Sequence, residues 1–183
     1  MEPLLRLAVP ADAPAITELM QASVHSLFPA YYDDVQVASA EIHIAGLDLA
    51  LIEDGTYYVH EANGEIVACG GWSRRNKLFN GSAAGADDRL LDPATEPARI
   101  RAMFVRGDWT RRGLGRAILT ACVDAARAAG FTQLALMSTL PGVPLYNSFG
   151  FTEVEAAELT MPDGVVLGGV AMERPVDQIG DTR

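Results

Sequence analysis

The chain has 183 residues, 49% of them hydrophobic and 21% charged, enough for one domain with a sizeable core. A formal net charge of −10 excludes a general nucleic-acid binder, which needs a basic face to displace counterions from phosphate. No window approaches the roughly 18 apolar residues of a membrane span, and the N-terminal apolar run is too short for a secretory signal. Cys69 and Cys122 lie in apolar contexts without CxxC spacing or a histidine cluster. They read as structural thiols, so the expectation is no metal and no disulfide, in a reducing cytoplasm.

In chain order, LLRLAV (4–9) reads as a strand. The next stretch carries Ile16, Leu19, Met20, Val24 and Leu27 at helical spacing, with Asp12 as the expected N-cap. A second helix is expected over 33–46. TYYVHEANGEIVACGGWSRR predicts two antiparallel strands joined at Asn63-Gly64, a strong hairpin signal. Residues 76–97, rich in Gly, Ala, Asp and Pro, exceed an ordinary hairpin loop and are expected to be poorly ordered, as is the tail 176–183. ARIRAMFV (98–105) is a strand, 109–130 a turn and helix, and TQLALMST (132–139) a strand covered on both faces. PGVPLYNSFG predicts one short helix stopped by Gly150, and two strands follow around Pro162-Asp163-Gly164. Neither a repeat nor a linker divides the chain, so 1–183 reads as a single domain.

The turn and helix WTRRGLGRAILTACVDAARAAG (109–130) concentrates the chemistry. Leu114, Ala117, Ile118, Ala121, Cys122, Ala125, Ala126 and Ala129 form an apolar stripe that must face a sheet. The helix start has no acidic cap. It carries Arg111, Arg112 and Arg116 around Gly113 and Gly115, and Arg99, Arg101 and Arg106 precede it against the single acid Asp108. Free N–H groups at a helix N-terminus attract an anion, and glycine lets a ligand approach the backbone. The bland alternative is a solvated basic rim beside a tight turn. A P-loop would need GxxxxGK followed by Ser or Thr, which is absent. A dinucleotide fold would need a third glycine where Ile118 stands and an acid after the next strand.

VRGDWTRRGLGRAIL following RIRAMF, with LYNSFGF about thirty residues later, resembles the GNAT superfamily of acyl-CoA-dependent N-acyltransferases. The resemblance implies an α/β (α+β) domain whose mixed central sheet of about six to seven strands is flanked by about four helices. It implies an N-acetyltransferase that passes the acetyl group of acetyl-CoA directly to a primary amine. Gly113 and Gly115 match the motif glycines, and the backbone around Arg111, Arg112, Leu114 and Arg116 is then expected to line the CoA pyrophosphate. Thr110 stands where the family has Gln or Arg, and Thr139 where it often has Asn. The resemblance also implies a splayed strand whose amides, around Met103, Phe104 and Val105, stabilise charge developing on the thioester carbonyl. It makes Tyr146 the general acid, since a phenol with a pKa near 10 can protonate a departing thiolate. The competing reading of Tyr146 is an aromatic packed beneath the sheet beside Leu145 and Phe149.

An alkylamine is mostly protonated at neutral pH, so a base, a water chain or a lowered amine pKa is required. The strand Arg99–Val105 carries no glutamate. Glu96, Asp92, His25, Glu41, His43 and His60 are the candidates, each of which also reads as an ordinary surface or structural residue. Acceptor specificity falls to 23–46, 76–97 and 156–165, where Tyr31, Tyr32, Asp33, Asp34, Glu41, Asp87, Asp88 and Glu158 suit a cationic amine or equally a solvated surface. Expected partners are acetyl-CoA and that amine, with neither nucleic acid nor membrane, and a homodimer left open. The alternative from another class is a CoA-binding module that has lost catalysis.

Overall fold

The computed structural model describes residues 2–77 and 89–178. Its strands are β1 Leu4–Leu7, β2 Tyr57–Ala62, β3 Glu65–Ser73, β4 Ala98–Val105, β5 Gln133–Thr139, β6 Thr152–Thr160 and β7 Val166–Pro175. Its α-helices are α1 Ala13–Leu27, α2 Asp34–His43, α3 Leu49–Glu53, α4 Leu114–Ala128 and α5 Val143–Ser148. The strands form one sheet in the order β1-β2-β3-β4-β5-β7-β6. The pair β4–β5 is parallel and the other pairs are antiparallel. The parallel pair requires a crossover, and α4 supplies it.

Helices cover both faces of the sheet. One core gathers Ile100, Ile118, Leu119, Cys122, Leu134 and Met172 under α4 and α5. The other gathers Ile16, Met20, Val24, Tyr57, Val59 and Leu167 under α1 to α3. Asn63 and Gly64 take φ of 53° and 81°, the conformation a two-residue hairpin requires. Among the described residues no helix is long and apolar enough to cross a membrane.

Three local expectations change. The side chain of Asp12 makes no capping bond to α1. Its carboxylate instead holds Arg6 at 2.8 Å and accepts from the Val9 amide at 2.8 Å, because a short 3-10 turn intervenes before the helix. The face of α4 is also rotated: Leu119 and Val123 are buried while Ala117, Ala121, Ala125 and Ala129 are half-buried. Turning the larger side chains inward removes more apolar area from water than the alanines could, at about 25 cal/mol per Å². The additional helix α3 is one short segment, LALIE, begun by Asp48, whose carboxylate accepts from the Ala50 amide at 3.1 Å. Five residues show no readable helical period.

Of the stretch expected to be poorly ordered, residues 78–88 lie outside the described residues, and so do 179–183 of the tail. The flanks are held. Arg99 donates to the Asn76 side chain at 3.0 Å, Lys77 meets Asp48 at 3.2 Å, and Arg89 pairs with Glu96 at 2.8 Å. Val176 is buried.

Candidate active site

The site begins where the sheet opens. β4 and β5 pair only at Ala98↔Leu134 and Arg99↔Ala135, although both strands run several residues further. A bulge causes the divergence. Ala102 takes φ of 52°, and the β3–β4 register breaks between Cys69 and Gly71. The Tyr57 hydroxyl fixes the bulge by donating to the Ala102 carbonyl at 2.7 Å. Gly71 leaves room for the neighbouring Thr56–Tyr57 segment, since a Cβ there would collide with the Thr56 carbonyl and crowd the Tyr57 ring. A bulge shifts the alternation of faces. Ile100 packs on the α4 side, Met103 and Val105 do so again after the bulge, and Phe104 joins the α1 side. Beyond it, the Arg106 amide donates to the Val67 carbonyl at 2.9 Å. The peptide groups of Val105 therefore face away from β3, into the gap. Ser23 confirms that direction, its hydroxyl donating to the Val105 carbonyl at 2.9 Å.

A groove of about 780 Å³ runs through this gap, lined by Met103, Phe104, Val105, Arg111, Gly113, Leu114, Gly115, Arg116 and Tyr146 among others. The predicted binding residues thus converge on one cavity, with the exception of Arg112. Its guanidinium lies 4.5 Å over the Trp109 ring instead. At the turn, Arg111 and Gly113 are both left-handed, with φ of 60° and 80°. Such a conformation is strained for arginine and natural for glycine. The two motif glycines do different work. A Cβ on Gly113 would meet nothing within 4 Å, so this face of the turn opens onto space. A Cβ on Gly115 would stand 2.8 Å from Leu145 Cδ2, so here glycine sets the close packing of α4 on α5.

The cluster of six arginines resolves into two groups. Arg106 is held by Asp108 at 2.7 Å and Glu65 at 3.0 Å, Arg101 is buried beside Asp48, and Arg99 bonds Asn76. Arg111, Arg112 and Arg116 remain at the helix mouth, where Arg116 donates to the Ser148 carbonyl at 3.0 Å and lies over the Phe149 ring. The first amides of α4 add their own positive potential. The Thr110 hydroxyl is engaged by its own turn, donating to the Gly107 carbonyl at 3.0 Å.

Tyr146 is both packed in the core and part of the groove lining. Its ring is buried, edge-on to Phe151 at 5.7 Å, yet it lines the groove. Burial pushes its pKa up, so the phenol holds its proton across the neutral range. Sequence reasoning missed Arg174, which follows Glu173 near the end of the otherwise apolar final strand. It is buried, donates to the Phe149 carbonyl at 2.9 Å, and lies 4.6 Å over the Phe149 ring, fixing the turn that follows α5.

None of the candidate bases lines the groove. His25 pairs with Glu41 at 2.9 Å and His43 with Asp163 at 3.5 Å. Glu96 is held by Arg89, which lowers its pKa to about 2, and Asp92 accepts from the Ala94 amide. His60 is buried beside the Leu114 backbone, and burial lowers its pKa. Among the described residues no carboxylate or imidazole lines the groove. Of the acceptor-side residues, Tyr31 lines it, whereas Asp33 caps α2 by accepting from Gln36 at 2.8 Å and Glu158 is exposed. Asp87 and Asp88 lie outside the described residues.

A seven-stranded mixed sheet splayed at its parallel pair, with a glycine turn at the mouth of the crossover helix, is an N-acetyltransferase fold. A GCN5-related N-acetyltransferase of Rhodopseudomonas palustris superposes with a TM-score of 0.70 at 19% identity, over 96% of each chain. PaiA N-acetyltransferase of Thermoplasma acidophilum, in complex with coenzyme A, gives 0.65 at 11% identity over 96% of this chain and 99% of its own. The putative acetyltransferase yncA of Salmonella typhimurium, with its cofactor acetyl-CoA, gives 0.63 at 21% identity over 97% and 96%. No curated protein sequence matches the chain. The sequence profile of the acetyltransferase (GNAT) family matches residues 14–151, and the chain belongs to that family.

Proposed function

We propose that the protein transfers the acetyl group of acetyl-CoA to a primary amine by direct attack. The observation that carries this reading is the convergence on one groove of the Val105 peptide, the helix mouth and Tyr146. The residues fit the ligand: Gly113 opens onto space, the first amides of α4 would attract an anion, and Arg111 and Arg116 line the same groove. The two neighbours that carry CoA or acetyl-CoA share the fold.

In this reading the turn and its arginines hold the pyrophosphate. The Val105 amide, directed into the gap, stabilises negative charge developing on the thioester carbonyl oxygen. As the amine nitrogen forms its bond to the acyl carbon and the C–S bond breaks, Tyr146 gives its proton to the departing sulfur. The amine's surplus proton passes to water. With no carboxylate or imidazole in the described lining, the amine must arrive neutral, so turnover rises with pH.

That same lining favours a second reading, a CoA-binding module without turnover. Thermal shift with acetyl-CoA, NAD and ATP tests binding first. A ligand at 100 times its Kd stabilises the fold by about 2.7 kcal/mol, a rise of several degrees in Tm. A shift with acetyl-CoA alone is expected, and thiol release with a panel of amines then separates the two readings. A shift with NAD or ATP and none with acetyl-CoA would overturn both.

A further inference from the structure

We propose that Tyr32 is a positioning residue for proton donation, its hydroxyl pinning the turn that leads into α5 and thereby setting where Tyr146 stands. The inference rests on the reading of Tyr146 as general acid. Tyr32 follows a 3-10 turn after α1, with its ring buried and 5.4 Å from the Phe28 ring. Its hydroxyl donates to the Gly168 carbonyl at 2.7 Å and accepts from the Leu140 amide at 2.9 Å. Both are good hydrogen bonds, and both partners are more than a hundred residues away in sequence.

The place of these partners gives the hydroxyl its role. The β5–β7 ladder ends at Thr139↔Gly169, so the next pair in register is Leu140 and Gly168. Tyr32 stands between them and bridges the rung with its own oxygen. Leu140 begins the 3-10 turn Leu140–Gly142, which runs directly into α5. Gly142 lies against the acid: a Cβ there would be 3.1 Å from Tyr146 Cε2 and 2.9 Å from Ser138 Oγ. A displaced turn therefore moves the phenol ring, because close-packed groups transmit small shifts. Tyr31, the preceding residue, lines the groove and is half exposed. One short segment thus touches the groove through Tyr31 and, through Tyr32, holds the turn leading into the helix that carries Tyr146.

The test is a double-mutant cycle in the full-length protein, with acetyl-CoA and an amine that turns over. Tyr32→Phe keeps the buried ring and removes the bridging hydroxyl. The expected result is a fall in kcat of about tenfold, with Kd for CoA unchanged within about twofold. In the Tyr146→Phe background the same substitution should change kcat by less than about twofold, since the acid it positions is gone. An equal fold-loss in both backgrounds overturns the proposal and marks the hydroxyl as merely structural. Wild-type turnover by Tyr146→Phe alone overturns the underlying reading, and shows this before the cycle is completed. Leu140→Pro provides the second variant, removing the amide donor while Tyr32 stays in place. Thr139 already has φ of −67° and ψ of 159°, which a following proline accepts. It should reproduce the loss in kcat and the dependence on Tyr146, and full activity there also overturns the proposal.

Discussion

Replacing Gly113 by alanine separates what the turn does for the fold from what it does for the ligand. At φ of 80° an L-residue is strained by about 1–2 kcal/mol. The new Cβ meets no protein atom within 4 Å, so strain is the whole cost to the folded chain. For a domain of this size it corresponds to a fall in Tm of about 2–8 °C. The added methyl projects into the space where the proposed pyrophosphate meets the backbone. We expect CoA affinity, measured by titration calorimetry, to fall at least tenfold, equivalent to about 1.4 kcal/mol. Gly113→Val should abolish binding. Gly55→Ala is the control, because Gly55 has φ of 70°, equally open surroundings and a place outside the groove. It should lower Tm by a similar amount and leave CoA affinity alone. Equal CoA affinity in the two alanine variants would refute the reasoning and make the turn purely structural.

Gly115→Ala should act through packing, with its Cβ driving Leu145 aside. We expect a small loss of Tm but a fall in kcat of several-fold from disturbance of α5, and unchanged steady-state rates would show that Leu145 yields without moving Tyr146. Tyr146→Phe should lower kcat at least tenfold with CoA affinity retained. Because burial raises the pKa of Tyr146, its proton is kept as pH rises through the ordinary tyrosine value near 10. For an alkylamine acceptor, kcat/KM should therefore climb from pH 6 to about 9 without a falling limb, and a limb centred below 9 would remove Tyr146 as the acid. Asp54 is lowered chiefly by its hydrogen bond from Arg75, against the opposing effect of burial. Its contribution to stability is present above the unfolded carboxylate pKa near 3.9 and is lost as pH falls through the lower folded value. Asp54→Asn should cost about 1 kcal/mol at pH 7 and flatten the decline in Tm between pH 4 and 2; parallel curves would contradict this.

Much of the fold was legible because its signals are local. The hairpin at Asn63-Gly64, the periodic α1 and the crossover helix after the glycine turn each follow from neighbours in the chain. The exceptions are instructive. Asp12 has the chemistry of a cap, but Arg6 competes for its carboxylate from the adjacent strand. Alanine and leucine both count as apolar in a helical stripe, so only the depth of packing revealed that Leu119 and Val123 point inward on α4.

By itself the sequence determined the order of the strands and of the helices other than α3, the anion-seeking start of α4 and the two motifs that identify the family, since each depends on residues a few positions apart. Tertiary structure alone decided which arginines stay at the mouth, because Glu65, Asp48 and Asn76 reach the others from distant segments. It also decided the opening of the sheet, which depends on a left-handed alanine held by a tyrosine from another strand. The same is true of the rung bridged by Tyr32. Hydrogen bonds between groups more than a hundred residues apart leave no periodicity in the chain, and they form only when packing has brought both ends together.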